Sequence, residues 1–190
     1  MPPKIKIKAD AILDVALEIT RQSGIEGLNA REIARILGCS IQPVFRTFQN
    51  MDNLKTALYQ KVEDYFNTYM LAGMNHPIPF LGMGLAYIHF ASAEKNLFKL
   101  LFMSESIHVD SPMDMISGDD NQEVIELIAG MTGLNHEHSK KLYVDIWLLT
   151  HGIASLVATN QCQFSEPEIE AILMDAFKGY LNLFTKKEEE

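Results

Sequence analysis

Few residues in this chain have a type and spacing that could support chemistry. His136 and His138 flank Glu137, and two histidines this close can hold a metal ion. On a helix, side chains two positions apart point about 200° away from each other, so we expect no metal site here. Cys39 and Cys162 have no partner ligands at zinc spacing. Two widely separated cysteines are no disulfide framework and fit a reducing cytoplasm.

The sequence also lacks the motifs of the common catalytic sites. It contains no Gly-rich phosphate loop, no HExxH and no GxSxG, so we expect neither catalysis nor a cofactor. Its 190 residues, 47% of them hydrophobic, are enough for one large domain or two small ones. The longest apolar stretch, 147–159, is too short and too polar to span a bilayer. With no signal peptide in view, we expect a cytoplasmic protein without a membrane partner.

The pattern that stands out lies at residues 29–48, which predict two short helices joined by a tight turn. Asn29 with Glu32 has the spacing of a capping box. Gly38 follows the first helix where a left-handed residue is favoured, and Ser40 is predicted to cap the second. Two helices joined by a short Gly-containing turn form the helix-turn-helix unit that places its second helix in a DNA major groove.

Every other periodic segment has helical spacing, and none shows sustained alternation, so we predict an all-α protein. Residues 105–119 are expected to be mainly loop, and the two prolines in 75–79 must interrupt a helix. The remaining helices are predicted at about 8–23, from Asn50 or Asp52 to Gly73, at 79–92, 94–104, 120–131 and 136–161, and from Ser165 to about Thr185.

Charge is distributed unevenly along the chain. The net charge of −9 by itself argues against a nucleic-acid partner. Residues 1–61, however, carry a net +3, whereas the rest of the chain carries −12. A basic head on an acidic body favours local contact of the head with phosphate, while the body is repelled from DNA.

Several short segments keep a common spacing across three predicted helices, namely 12–19, Gly24, 31–34, Gly38, Ser40 and 45–48. Together they resemble the DNA-binding domain of TetR/AcrR-type bacterial transcription regulators. Farther along, Trp147, His151 and Gly152 resemble the Trp…His-Gly pattern of one subgroup of C-terminal domains in that family.

The resemblance implies a fold and a function. It implies an N-terminal three-helix bundle with the helix-turn-helix, placed at 1–50, and a larger helical ligand-binding and dimerisation domain, placed at 51–190. The expected protein is a homodimer joined through its last two helices. The resemblance further implies a ligand-responsive regulator of transcription that acts as a repressor. A small apolar or aromatic effector releases it from a pseudo-palindromic operator in double-stranded DNA.

The resemblance also assigns residues to DNA contact. Gln42 is the best candidate to read a base, because a carboxamide can form two hydrogen bonds with adenine. Ile41 and Pro43 offer only apolar contact, and Phe45 lacks the hydroxyl of the Tyr that is common in the family. Thr47 also falls on the face that meets the groove, while Val44 and Phe48 are expected in the core. Candidates for phosphate contacts are Asn29, Arg31, Ser40, Arg46 and Lys55.

A ligand pocket is expected around Trp147 and His151, which share a helix face because they lie four residues apart. The alternative is that they are core residues with the histidine hydrogen-bonded inside. The other candidate pocket residues are Phe66, Met70, Tyr87, Phe98, Phe102 and Met103.

The sequence is also compatible with a function of a different class. The chain could be a helical protein-interaction or ligand-sequestering module that binds no DNA, with the helix-turn-helix serving only for packing. The charge distribution argues against that alternative, because a purely structural motif has no reason to lie in the basic segment.

Overall fold

The structure, a computed structural model, describes residues 7–104 and 119–189, without the side chains of Asp119, Asp120 and Glu189. In this part of the chain it contains α-helices and one 3-10 turn and no strand, so the all-α prediction is confirmed. The segment predicted as loop at 105–119 lies almost wholly outside the described residues. The helices are α1 (Ala9–Ser23), α2 (Ala30–Ile36), α3 (Gln42–Phe48), α4 (Met51–Gly73), α5 (Pro79–Ala93), α6 (Lys95–Phe102), α7 (Asp119–Thr132), α8 (His136–Ala158) and α9 (Glu166–Glu189).

The start of α2 agrees with the predicted cap. The side-chain oxygen of Asn29 accepts a hydrogen bond of 3.0 Å from the Glu32 N–H, which satisfies one of the free donors at the helix start. The Glu32 carboxylate, however, binds Arg35 at 2.6 Å. Gly38, in the turn after α2, has a φ of 65°, which is the left-handed conformation that was predicted for it.

The cap predicted for α3 is wrong. Ser40 does not occupy the N-cap position; Ile41 does, and it makes no side-chain capping bond. The physical reason lies in Pro43, the second residue of the helix. A capping side chain accepts from the N–H of the second or third helical residue, and proline has no N–H to offer.

Other helix starts follow polar caps. Asn50 accepts from the Asn53 N–H at 2.8 Å, so Asn50 rather than Asp52 caps α4. Asn135 caps α8 as predicted, through the His138 N–H at 2.9 Å. Before α9, Ser165 and Glu168 form the predicted pair, with the Glu168 carboxylate accepting both the backbone N–H and the hydroxyl of Ser165. These caps explain why the sequence located the helix starts well.

The chain divides into two compact units. The first contains the residues up to Thr68 together with Glu94–Ser104, and so includes α1 to α3, most of α4, and α6. The second contains the end of α4 with α5 and α7 to α9. These units are defined by contacts, whereas the limits 1–50 and 51–190 were drawn by function and stay a prediction.

The first unit combines an apolar core with a polar network. Glu94, only 8% exposed, accepts from Arg21 Nε at 2.9 Å and from the Tyr65 hydroxyl at 3.0 Å. Asn96 donates to the Arg21 carbonyl at 2.9 Å. This network joins α1 and α4 to the start of α6. The buried apolar side chains of the unit include Ile12, Ala16, Ile33, Val44, Leu54, Leu58, Val62, Leu97 and Phe98.

The second unit packs α5 against α8 and α9 and brings two backbones very close together. A Cβ placed on Gly73 would lie 2.6 Å from the Gly82 carbonyl oxygen, and one placed on Gly82 would meet the Gly73 oxygen and the Cβ of His76. The end of α4 can therefore approach α5 only because both positions lack a side chain. Buried side chains of this unit include Phe80, Phe90, Ile128, Leu142, Ile146, Ala154, Leu173 and Phe184.

Candidate nucleic-acid interface and ligand cavities

The short helix α3 has one inward and one outward face. Val44 is 1% exposed and lies in the core, as predicted, and Phe48 is half-buried. Gln42 is exposed, and Ile41 and Phe45 keep 42% and 37% of their surface in solvent. Large apolar side chains are rarely left exposed without a reason when they cluster, so this face is suited to a contact surface.

Basic residues of the first unit divide into two groups. Arg21 pairs with Glu18 and Glu94, Arg35 with Glu32, and Lys61 with Asp14. Within the described residues, none of the exposed cations predicted to touch phosphate forms an ion pair. Their charges are therefore available to a polyanion. These unpaired cations are Arg31, Arg46 and Lys55.

The remaining residues predicted to contact DNA lie in the same motif, and some of their side chains are already hydrogen-bonded within the protein. Asn29 is exposed, but its side chain is engaged at both ends, since its amide nitrogen donates to the Gly27 carbonyl at 3.2 Å. The Thr47 hydroxyl donates to the Pro43 carbonyl at 2.9 Å. Ser40 is exposed in the turn before α3, and Pro43 is half-buried.

Two apolar cavities lie within the second unit. The smaller has a volume of about 40 Å³ and the larger about 230 Å³. Residues that line the smaller cavity are Met70, Phe80, Met83, Gly84, Tyr87, Tyr143, Ile146, Trp147 and Thr150. Those that line the larger are Ile78, Phe80, Leu81, Gly84, Met131, Ile146, Leu173, Met174 and Phe177.

The structure places the predicted pocket residues in two different units. Met70, Tyr87 and Trp147 line the smaller cavity, and His151 contacts two of them. The other four belong to the first unit and line neither of these two cavities. There Phe98 is fully buried, Phe66 and Phe98 each pack on Phe102 with ring centroids 5.1 Å apart, and Met103 is 45% exposed.

His151 is held between two aromatic residues. Its ring stacks on Trp147 with centroids 5.0 Å apart and planes inclined by 14°, and its Nδ1 lies 3.0 Å from the Tyr87 hydroxyl oxygen. Burial lowers the pKa of His151 and raises that of Tyr87. Both groups are therefore uncharged at neutral pH. The half-buried histidine therefore contacts two residues of the cavity wall, and whether it serves a ligand or only the packing stays open.

Sequence reasoning missed several lining residues. Tyr143 lies four residues before Trp147 on α8 and Thr150 three residues after it, so a complete reading of that helix face would have included both. Ile146 directly precedes Trp147, but it lies three residues after Tyr143 and four before Thr150 and so adjoins the same face. Gly84 lines both cavities. A missing side chain has no periodic signal, so nothing in the sequence marked it as part of a cavity wall.

One of the two histidines considered for metal binding has other partners. His138 Nδ1 lies 2.6 Å from a Glu188 carboxylate oxygen, and its ring stacks on Phe184. Among residues 7–104 and 119–189, no group of three or more His, Cys, Asp or Glu is placed to hold a metal ion. In that same part of the chain, no helix is both long and apolar enough to cross a membrane.

Comparison with known proteins gives structural likeness only. No family model matches the chain, and no curated protein matches it. A solved protein of unknown function from Rhodococcus sp. RHA1 is 18% identical with a TM-score of 0.71, over 97% of this chain and 99% of that one. A TetR family protein from Vibrio parahaemolyticus is 19% identical with a TM-score of 0.61, over 91% and 98%. A TetR-like transcriptional regulator from Rhodococcus sp. RHA1 is 13% identical with a TM-score of 0.62, over 93% and 96%.

These neighbours, matched over nearly their whole length, assign the chain to the all-helical fold of TetR-like regulators. The predicted fold is thereby confirmed, as is the resemblance from which it was drawn. The likeness to the Trp…His-Gly subgroup stays a prediction.

Proposed function

We propose that this protein is a non-enzymatic, ligand-responsive regulator of transcription that binds double-stranded DNA sequence-specifically through α2 and α3. The observation that carries the proposal is the outward face of α3. It combines an exposed carboxamide, two exposed apolar side chains and an unpaired arginine, with further unpaired cations beside it at Arg31 and Lys55. This composition suits a helix that lies in a major groove between two phosphate backbones.

Each residue takes the role that its chemistry allows. Gln42 reads a base edge through its carboxamide, and Ile41 and Phe45 offer apolar contact to thymine methyl groups. Arg31, Arg46 and Lys55 bind phosphate, together with the caps Asn29 and Ser40. Pro43 and Thr47 complete the surface that faces the groove.

The proposed working form is a homodimer joined through α8 and α9. Leu148 and Leu156 on α8 are 43% and 37% exposed, and Ile172 and Leu183 on α9 are 37% and 46% exposed. Exposed leucines and isoleucines along two adjacent helices support a surface that a second copy covers. A symmetric dimer presents two copies of α3 about 34 Å apart, which matches successive major grooves of a pseudo-palindromic operator.

We place the effector in the second unit, where the cavities are apolar. An effector that binds the DNA-free dimer more tightly than the DNA-bound dimer releases the operator by linkage, which makes the protein a repressor. A small apolar or aromatic molecule fits cavities lined in this way.

The test is a fluorescence-anisotropy titration of the protein against DNA from upstream of its coding region, with a scrambled duplex of equal length, at several salt concentrations. We expect tight binding to the upstream fragment with a steep salt dependence, because phosphate contacts release counterions. Gln42→Ala should weaken binding to the specific duplex more than to the scrambled one. Absence of binding to either duplex at low salt would favour the interaction-module alternative.

A further inference from the structure

The two cavities of the second unit share part of their walls. Phe80, Gly84 and Ile146 line both of them. A Cβ added to Gly84 would lie 3.1 Å from Leu173 Cδ1, on the side of the larger cavity, and 3.8 Å from the Thr150 hydroxyl oxygen, on the side of the smaller. The cavities therefore adjoin at Gly84, where an added side chain would be crowded against Leu173.

The walls differ in chemistry. Among the described residues, the larger cavity is lined only by aliphatic, aromatic and thioether side chains besides Gly84. The smaller cavity adds the hydroxyl-bearing residues Tyr87, Tyr143 and Thr150. Within residues 7–104 and 119–189, neither lining contains Asp, Glu, Lys, Arg or His. A charged group buried among such walls would lose its hydration without gaining a partner, which costs several kcal/mol or more.

The polar end can still serve a ligand. The Thr150 hydroxyl donates to the Ile146 carbonyl at 2.8 Å and keeps its lone pairs. The Tyr87 hydroxyl lies 3.0 Å from His151 Nδ1. The Tyr87 hydroxyl is therefore already engaged. The Thr150 hydroxyl has used its proton but can still accept a hydrogen bond from the hydroxyl group of a ligand.

We propose that the two cavities form one site for an uncharged amphiphile, with its apolar chain in the larger cavity and a single hydroxyl end in the smaller, where it donates a hydrogen bond to Thr150. The inference deepens the proposed function, because it specifies the effector of the same regulator. A cavity of about 150 Å³ holds benzene, so the larger one suits a chain of medium length.

The shared residue Phe80 connects the proposed site to the packing of three helices. Its ring is 8% exposed and packs on Tyr143 and Phe177, with centroid distances of 6.1 and 5.7 Å. Phe80 lines both cavities, so a ligand that fills both contacts its ring. Ligand binding is thereby coupled to the packing between α5 and the two helices that carry the neighbours of Phe80, α8 and α9.

The chain provides its own reporter for the test, because Trp147 is its sole tryptophan and lines the smaller cavity. We would titrate the full-length protein at neutral pH with 1-octanol, octanoate and octyltrimethylammonium and follow Trp147 fluorescence. The expected result is saturable binding of 1-octanol, with both charged probes at least about tenfold weaker. Equal binding of either charged probe, or no saturable response to 1-octanol, overturns the proposal.

Variants test the two ends separately. Met174→Phe fills part of the larger cavity and should shift the preferred alcohol to a shorter chain, whereas Met103→Phe, at an exposed position of the first unit, should not. Thr150→Val should weaken 1-octanol about tenfold and leave the binding of 1-chlorooctane unchanged. Thermal denaturation identifies any variant that fails to fold. If either Met174→Phe or Thr150→Val fails, the other variant still tests the proposal. An unchanged preference in folded variants contradicts the proposal.

These measurements separate the two proposals. If the protein binds 1-octanol but no DNA, the proposed role in transcription is wrong and the proposed amphiphile site stands. If it binds DNA specifically but no alcohol, the role in transcription stands and the amphiphile site is wrong.

Discussion

Each of the two compact units is stabilised internally by a different kind of interaction. In the first, a nearly buried carboxylate, Glu94, binds Arg21 and Tyr65 and ties three helices together at polar points. In the second, α5 meets its neighbours through apolar contacts and through the glycines at 73 and 82. The first unit bears the candidate DNA surface and the second bears the cavities. A polar network fixes geometry through directional bonds, whereas apolar walls can adapt to a guest.

The largest effect is expected where the second unit tolerates no side chain at all. The Cβ of Gly82→Ala would meet the backbone oxygen of Gly73 and the Cβ of His76, and neither atom is the end of a flexible chain. We expect a loss of about 3 kcal/mol or more in the free energy of unfolding, as for severe overpacking. Urea denaturation followed by circular dichroism measures it.

Gly130→Ala is the matched control for that substitution. Gly130 lies inside α7, and nothing lies within 4 Å of the Cβ that it would gain. We expect this variant to be more stable by about 0.5–1 kcal/mol, because alanine loses less backbone entropy in a helix. Equal effects of the two substitutions would show that the close approach of α4 and α5 is not a constraint.

The polar network of the first unit predicts the next largest effect. Glu94→Ala leaves Arg21 and the Tyr65 hydroxyl without their shared partner. We expect a cost of about 2 kcal/mol, between the values for buried and exposed ion pairs, because Arg21 is 33% exposed. Glu18→Ala removes the exposed partner of the same arginine and should change the midpoint of denaturation very little. Similar losses from both variants would contradict a special role for Glu94.

How much the sequence could predict differs between the units. Helix starts were found from local rules, since Asn29, Asn50 and Asn135 accept bonds from the N–H three residues ahead. The ligand site was only partly found. Phe66, Phe98 and Phe102 were grouped with Trp147 because aromatic character carries no information about which unit a side chain joins.

Contacts across long sequence separations explain most of what was missed. Glu94 and Arg21 lie 73 residues apart, and neither has a neighbour that marks the pairing. Gly84 contributes to both cavities through the side chain that it lacks. At the start of α3 the sequence did contain a local warning, because Pro43 has no N–H and so removes one of the two backbone donors that a capping side chain can use.

A smaller effect, on affinity rather than stability, is expected at the DNA surface. Arg46→Gln removes an exposed, unpaired charge, whereas Arg35→Gln removes one already paired with Glu32. The first should weaken DNA binding several-fold and lower the slope of log affinity against log salt by about one. The second should change the slope less. Anisotropy titrations of both variants at three salt concentrations compare them, and equal slopes would remove the distinction between paired and unpaired cations.

The smallest effect is expected at a polar contact near the surface of the second unit. A Glu188 oxygen accepts from the Asn135 N–H at 3.0 Å and lies 2.6 Å from His138 Nδ1, which links the start of α8 to the end of α9. The Asn135 N–H, and then His138, lower the pKa of Glu188 below its ordinary value of 4.5. A carboxyl group with a lowered pKa in the folded state stabilises that state fully above pH 4.5, and this contribution is lost as the pH falls through the folded value.

Glu188→Gln should therefore lower the Tm slightly at neutral pH, and the difference from the parent should disappear in more acidic solution. Glu166→Gln is the control, because Glu166 is exposed and its contact with His89, at 4.0 Å, is long. Parallel melts at neutral pH and below pH 4 test both variants. If the Glu188 variant kept its lower Tm in acid, the loss would come from packing at the end of α9. The charge of Glu188 would then contribute nothing to the stability of the second unit.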